Sequence, residues 1–174
     1  MVVNYTNTFF FTATILKWQP LLKNDSNKNI ILDTLRFQVK ENRIVLFCLV
    51  IMPNHIHLVW NTKDGLEKNL TQGSLLRFTA NSMIKKLKNT EPLAVELYRV
   101  NAADRAIQIW ERNPLSTEIY TDKAMEQKLN YIHNNPCTDK WKLAPTPAEY
   151  YYSSARFYAK GVDDFNILTS YLSV

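Results

Sequence analysis

Glycine is scarce in this chain. Its 174 residues contain only Gly65, Gly73 and Gly161, and no two of them stand at the spacing of a phosphate-cradling loop or a dinucleotide-binding turn. Kinases, ATPases and nicotinamide oxidoreductases built on those loops are therefore excluded, and no nucleotide cofactor is expected. Cysteine is scarce too: Cys48 and Cys137 lie far apart and form no CxxC pair, which argues against a zinc knuckle. Cys48 sits in an apolar run and is expected in the core. No apolar run approaches the roughly 18 residues of a membrane span. The start, Met1-Val2-Val3-Asn4-Tyr5, lacks the charged segment and small-residue cleavage site of a signal peptide. A soluble, cytoplasmic protein with no membrane partner is the expectation. Repeats and low-complexity segments are also missing.

What is present is a well-supplied core. Hydrophobic residues make up 46% of the chain and aromatics 12%, enough for one domain at this length. The net charge of +5 favours a polyanionic partner. Residues 8–18, rich in aromatic and β-branched side chains, predict a strand. Pro20 and the polar cluster 23–27 predict a loop, and residues 28–41 a helix whose Ile31, Leu35 and Val39, with Ile30, Leu32 and Phe37 nearby, face the sheet. Ile44–Ile51 is apolar throughout and predicts a buried strand. Pro53 and Asn54 then supply a turn, Asn54 being tolerant of the left-handed conformation. Residues 55–60 return as the second strand of a hairpin, which Asn61-Thr62-Lys63-Asp64-Gly65 ends.

Residues 66–88 predict a long helix with Leu76, Met83 and Leu87 in an apolar stripe, broadened by Phe78 and Ile84. Arg77, Asn81, Lys85 and Lys88 fall on one face, and five basic residues stand between Lys68 and Lys88 with no acidic one. Such a face is either simply solvated or a nucleic-acid contact, and the missing carboxylates favour the second. Residues 95–100 and 106–110 suggest short strands around a loop, and Asn113-Pro114 breaks the chain. Thr121 or Asp122 caps a helix over residues 123–134 carrying Met125, Leu129 and Ile132, which Pro136 ends. Residues 1–136 thus read as one domain and residues 137–174 as an extension laid across it. The order of elements predicts an α+β fold, an antiparallel sheet with helices packed on it.

Two motifs carry the chemistry. In a strand, His55 and His57 point to one face and Ile56 to the other, with histidine Cβ atoms about 6–7 Å apart. They are either polar residues on a solvated face or two ligands of one metal ion. On a helix, Tyr131 and Asn135 share a face while His133 points elsewhere. A tyrosine there is either a packing residue or a nucleophile. Two imidazoles and the Asn135 oxygen can hold a divalent cation beside a phosphodiester, which the tyrosine hydroxyl can attack. A covalent intermediate keeps the phosphodiester energy, so a strand could be rejoined without ATP.

These residues carry a family likeness. Met52-Pro53-Asn54-His55-Ile56-His57-Leu58 resembles the HUH motif (His, hydrophobe, His) of the IS200-like single-tyrosine transposases. Gln127-Lys128-Leu129-Asn130-Tyr131-Ile132-His133-Asn134-Asn135-Pro136, followed by Tyr151-Tyr152-Ser153-Ser154-Ala155-Arg156, resembles the tyrosine helix and tail of the REP-associated branch of that family. The likeness runs from about Thr8 to Tyr158. It implies a ferredoxin-like or RRM-like antiparallel sheet with helices packed on it, the HUH catalytic domain ending at residue 136. It implies cutting and rejoining of single-stranded DNA at hairpin or palindromic ends through a 5′-phosphotyrosine, with Mg²⁺ or Mn²⁺ as cofactor. By position, Tyr131 becomes the nucleophile, His55 and His57 two metal ligands, and Asn135 the third, a place some members fill with glutamine. Arg77, Asn81, Lys85 and Lys88 are the expected DNA contacts. IS200-type members are dimers that can exchange the tyrosine helix and REP-associated ones monomers, so both states stay open. Where many members continue with valine and an Arg-Ala-Gly-type turn, this chain reads Cys137-Thr138-Asp139-Lys140-Trp141-Lys142-Leu143.

Two other functions compete. A non-catalytic nucleic-acid-binding module would need only the sheet, the basic helix face and stacking aromatics such as Trp60. A metal hydrolase of small phosphoesters would use water in place of the tyrosine.

Overall fold

The structure is a computed structural model and describes residues 5–63 and 67–173. The expected turn at Asp64-Gly65, the helix start at Leu66 and the first four residues lie outside the described residues. Strand β1 (Thr8–Thr14), helix α1 (Asp25–Lys40), strands β2 (Ile44–Ile51) and β3 (His55–Thr62) and helix α2 (Lys68–Thr90) come first. A small hairpin, β4 (Arg99–Ala102) and β5 (Arg105–Ile107), leads to β6 (Leu115–Glu118). Helix α3 (Asp122–Asn134) and the short α4 (Ala155–Lys160) complete the set.

The main sheet has the order β2-β3-β1-β6, and each neighbouring pair is antiparallel. With α1 joining β1 to β2 and α2 lying between β3 and β6, this is the split βαβ arrangement of ferredoxin-like folds. Side-chain alternation sorts the two faces. Phe9, Phe11 and Ala13 of β1 and Ile56, Leu58 and Trp60 of β3 join Ile31 and Leu35 of α1 and Leu75, Met83 and Leu87 of α2 in one core. On the other face, Phe10, Val50 and Val59 pack with Met125, Leu129 and Ile132 of α3. A bulge between Leu46 and Cys48 puts Phe47 and Cys48 together on this second face. Residues beyond 136 supply buried side chains to both cores: Tyr152, Phe165 and Ile167 to the first, Tyr171 to the second. No described helix is long and apolar enough to cross a membrane.

Several expectations need correction. The first strand stops at Thr14, because Lys17 and Trp18 both take positive φ and turn the chain out of the sheet. The polar cluster before α1 is its cap: the Asn24 side chain accepts from the Ser26 N–H at 3.0 Å, and the helix starts at Asp25. Phe37 and Phe78, assigned to buried faces, are 51% and 60% exposed. Residues Pro92–Tyr98 form 3₁₀ turns, so the strand expected over 95–100 is confined to β4 and that over 106–110 to β5. Strand β6 was not anticipated; it pairs with β1 from Phe9↔Glu118 to Thr12↔Leu115 and closes the sheet's second edge. Asn54 keeps a negative φ and serves through its side chain instead.

Candidate active site

The hairpin β2–β3 brings His55 and His57 to the centre of the second face. Both are buried, at 6% and 4% exposure, against the half-buried reading that an H-x-H pair alone allows. Their rings lie 4.7 Å apart. Register on the sheet supplies their supports: Thr14 stands opposite His55 and Thr12 opposite His57. The Thr12 hydroxyl is hydrogen-bonded to His57 Nδ1 at 2.7 Å. His55 Nδ1–H donates to Asn54 Oδ1 at 2.7 Å, while the same amide donates through Nδ2 to the Trp18 carbonyl at 3.2 Å. Asn54 is thereby oriented from both sides and fixes the proton of His55 on Nδ1.

Each histidine shares the cleft with a residue from the end of α3 or the turn just beyond it. Thr121 caps this helix, accepting from the Ala124 N–H at 3.2 Å, and Met125, Leu129 and Ile132 bury its apolar stripe. The opposite edge of the stripe presents Tyr131, whose ring meets His57 edge-on at 5.2 Å and Phe10 at 6.1 Å. One turn later, just past the helix end, Asn135 is 8% exposed and lines the same cleft as His55. A cleft of about 550 Å³ is lined by His55, His57, Tyr131 and Asn135 together with Phe10, Thr12, Lys128 and Lys140.

Burial and the Lys140 charge, opposed by the Asn135 side chain, leave the His55 pKa lowered to about 4. Burial, His55 and Lys128 lower that of His57 to about 3. Both imidazoles are therefore neutral at pH 7, as metal ligands must be. His57 Nε2 is buried and has no hydrogen-bond partner. With Nδ1 of His57 held by Thr12, its Nε2 is left as the free donor, an arrangement that orients metal-bound histidines. The donor set, two imidazoles and one carboxamide oxygen, fits a divalent cation with open positions. No cluster of three or more His, Cys, Asp or Glu side chains able to hold a metal occurs among the described residues.

The expected DNA contacts lie elsewhere. Arg77, Asn81, Lys85 and Lys88 are exposed on α2, which packs on the sheet face opposite the histidines, and none of them lines the cleft. Arg77 and Asn81 line a second cavity of about 620 Å³ shared with Arg105 and Arg112. Trp60, expected as a stacking aromatic, is fully buried against Phe11, ring to ring at 5.2 Å. The polar groups that sequence reasoning missed are Thr12, Asn54, Lys128 and Lys140. Lys128 could have been found: it precedes Tyr131 by three residues and so shares its helix face.

His133 has a separate place. Its Nε2 lies 2.9 Å from the Ser154 hydroxyl and 3.3 Å from Cys48 Sγ. Ser154 in turn accepts from the Leu49 N–H at 3.0 Å. The helix that carries Tyr131 is thus tied to β2 and to the start of α4. Burial raises the Cys48 thiol to about 12, partly offset by the Ser154 hydrogen bond, so it stays protonated there.

No protein-family model matches the chain, and no curated protein matches it. Solved structures do. A REP-associated tyrosine transposase bound to a REP hairpin superposes with a TM-score of 0.65 over 98% of this chain and 90% of its own, at 18% identity. A candidate transposase from Deinococcus radiodurans R1 has a TM-score of 0.50 over 73% of this chain and 88% of its own, at 16% identity. The fold is the one these transposase structures share, in agreement with the resemblance carried by the two motifs.

Proposed function

We propose that this protein is a metal-dependent tyrosine transposase of the IS200-like, REP-associated kind, which nicks and rejoins single-stranded DNA. One observation carries the reading: α3 lays Tyr131 against His57 and, just past its end, brings Asn135 into the same cleft as His55. A tyrosine placed only for packing would be buried, and this one is 52% exposed at the cleft. The fold shared with a transposase bound to a REP hairpin supports hairpin-bearing DNA as the substrate.

His55, His57 and Asn135 would hold the cation, Mg²⁺ or Mn²⁺. When bound, the cation polarises the scissile phosphate. Tyr131 Oη attacks phosphorus. The Oη–P bond forms as the P–O3′ bond breaks, the phenolic proton passes to solvent and the leaving 3′-oxygen takes one up. The 5′ end stays on the protein as a phosphotyrosine until a 3′-hydroxyl attacks it and reseals the strand. Lys128, with Nζ 4.5 Å above the Phe10 ring and its charge felt at His57, stands where it can offset the charge that develops on phosphate.

Cleavage of a labelled single-stranded oligonucleotide carrying the hairpin of the chain's own genomic neighbourhood tests this. Cleavage is expected with Mn²⁺ or Mg²⁺ and not with EDTA, nor in His55→Ala or His57→Ala. Binding that persists unchanged in EDTA and in both variants, with no cleavage by the wild type, would establish the non-catalytic binding module instead. Turnover that survives Tyr131→Phe would establish the hydrolase.

A further inference from the structure

The turn that follows β1 is held in an uncommon conformation. Lys17 and Trp18 are consecutive non-glycine residues with φ of 53° and 57°. Left-handed backbone is unfavourable for an L-residue, and such strain persists only where the surroundings over-determine it. Here they do. The Lys17 N–H donates to Glu111 Oε1 at 2.6 Å, the Leu16 N–H to the Ile109 carbonyl at 2.7 Å, and Asn54 Nδ2 to the Trp18 carbonyl. The product of this bracing is an indole left 58% exposed.

That indole stands at the histidine pair. Its ring lies 6.4 Å from His55, and Trp141 lies 5.7 Å from the same imidazole on another side. Lys140 bridges the two, with Nζ 5.4 Å from the Trp18 ring and 5.3 Å from that of Trp141. Trp18, Lys140 and Trp141 all line the cleft that holds Tyr131. Two aromatic faces and one ammonium beside a phosphodiester-cutting centre match what binds unpaired nucleotides: rings for base stacking and a cation for the backbone. Trp141 and Lys140 belong to the stretch 137–143 that follows the tyrosine helix.

We propose that Trp18 and Trp141 form a stacking platform for an unpaired base of single-stranded DNA next to the scissile phosphate, with Lys140 contacting the adjoining phosphate. The platform rests on the DNA-nicking reading of the same cleft and adds to it the residues that seat the strand. It is also independent of base identity, since every base offers a π face. Asn54 links the platform to the catalytic pair, because one amide holds both the Trp18 carbonyl and His55 Nδ1.

The test is fluorescence anisotropy with labelled dT20 and with an abasic phosphodiester 20-mer. Trp18→Ala is expected to weaken dT20 binding about 10-fold, a typical loss for one stacked base. It should change abasic binding less than two-fold, and Trp18→Phe should restore most of the affinity. Lys140→Ala should lower the salt slope of log K by about 0.7, the value for one phosphate contact on a single strand. Unchanged dT20 binding in Trp18→Ala, an equal loss on the abasic polymer, or no dT20 binding by the wild type overturns the platform. Covalent chemistry is read separately through Tyr131. A chain that forms the adduct without Trp18 dependence loses the platform alone; one with Trp18 dependence and no adduct loses the nicking reading alone.

Discussion

Thr12 shows how much of the site rests on single supporting atoms. Its hydroxyl, 2.7 Å from His57 Nδ1, keeps the ring turned so that Nε2 faces the cleft. Thr12→Val keeps the shape and removes that partner. Loss of such an outer hydrogen bond typically costs 10–100-fold in metal affinity. Mn²⁺ titration followed by electron paramagnetic resonance should show a drop in that range, and unchanged affinity would mean that packing alone orients His57. Asn54 does the same for His55, yet its role is doubled by the hydrogen bond to the Trp18 carbonyl. The pair His55 and His57 was legible in the sequence because strand alternation is strict. Their supports were not, since Thr12 comes from a strand 45 residues away and only register reveals it.

Helix α3 is the element on which the proposed activity turns. His133 points away from the cleft and into the Ser154–Leu49–Cys48 cluster, so one helix end is locked while its Tyr131 face stays open. Ser154→Ala removes a hydroxyl used by the Leu49 N–H and by His133. Leaving those groups without it should cost about 1–3 kcal/mol. Urea unfolding should show the lower midpoint with the slope unchanged; an unmoved midpoint would show that the cluster contributes nothing to holding α3. The cap at Thr121, the buried Met125, Leu129 and Ile132, and the stop before Pro136 were all readable in advance, because cap chemistry and helical spacing are local signals. Strand β6 was not readable. Leu115-Ser116-Thr117-Glu118 is short and has no apolar alternation, and it becomes a strand only because β1 offers an unpaired edge. The basic run on α2 was seen correctly as a run, but sequence could not tell which face of the sheet that helix covers.

For the whole molecule, histidine titration links the site to stability. All three histidines are neutral in the folded chain, with pKa lowered by burial to about 4, 3 and 4 for His55, His57 and His133, against 6.5 when unfolded. Between those values the unfolded chain binds more protons, so stability rises with pH there. The contribution is complete above pH 6.5 and is lost as pH falls towards 3–4. By pH 5 each histidine can account for a loss of up to about 2 kcal/mol. Urea unfolding in metal-free buffer should therefore give a markedly lower stability at pH 5 than at pH 7.5. Equal stability would show that the three rings titrate alike in the folded and the unfolded chain.

The central claim is that the sheet and α3 assemble one covalent centre, and mass spectrometry of the trapped intermediate tests it most directly. The protein is incubated with Mn²⁺ and a hairpin-bearing single strand whose cleaved 3′ fragment is free to diffuse away, then digested. The account predicts a DNA phosphate on the peptide containing Tyr131, and no adduct in Tyr131→Phe. An adduct on any other residue, or cleavage that leaves no protein-linked DNA, would contradict it.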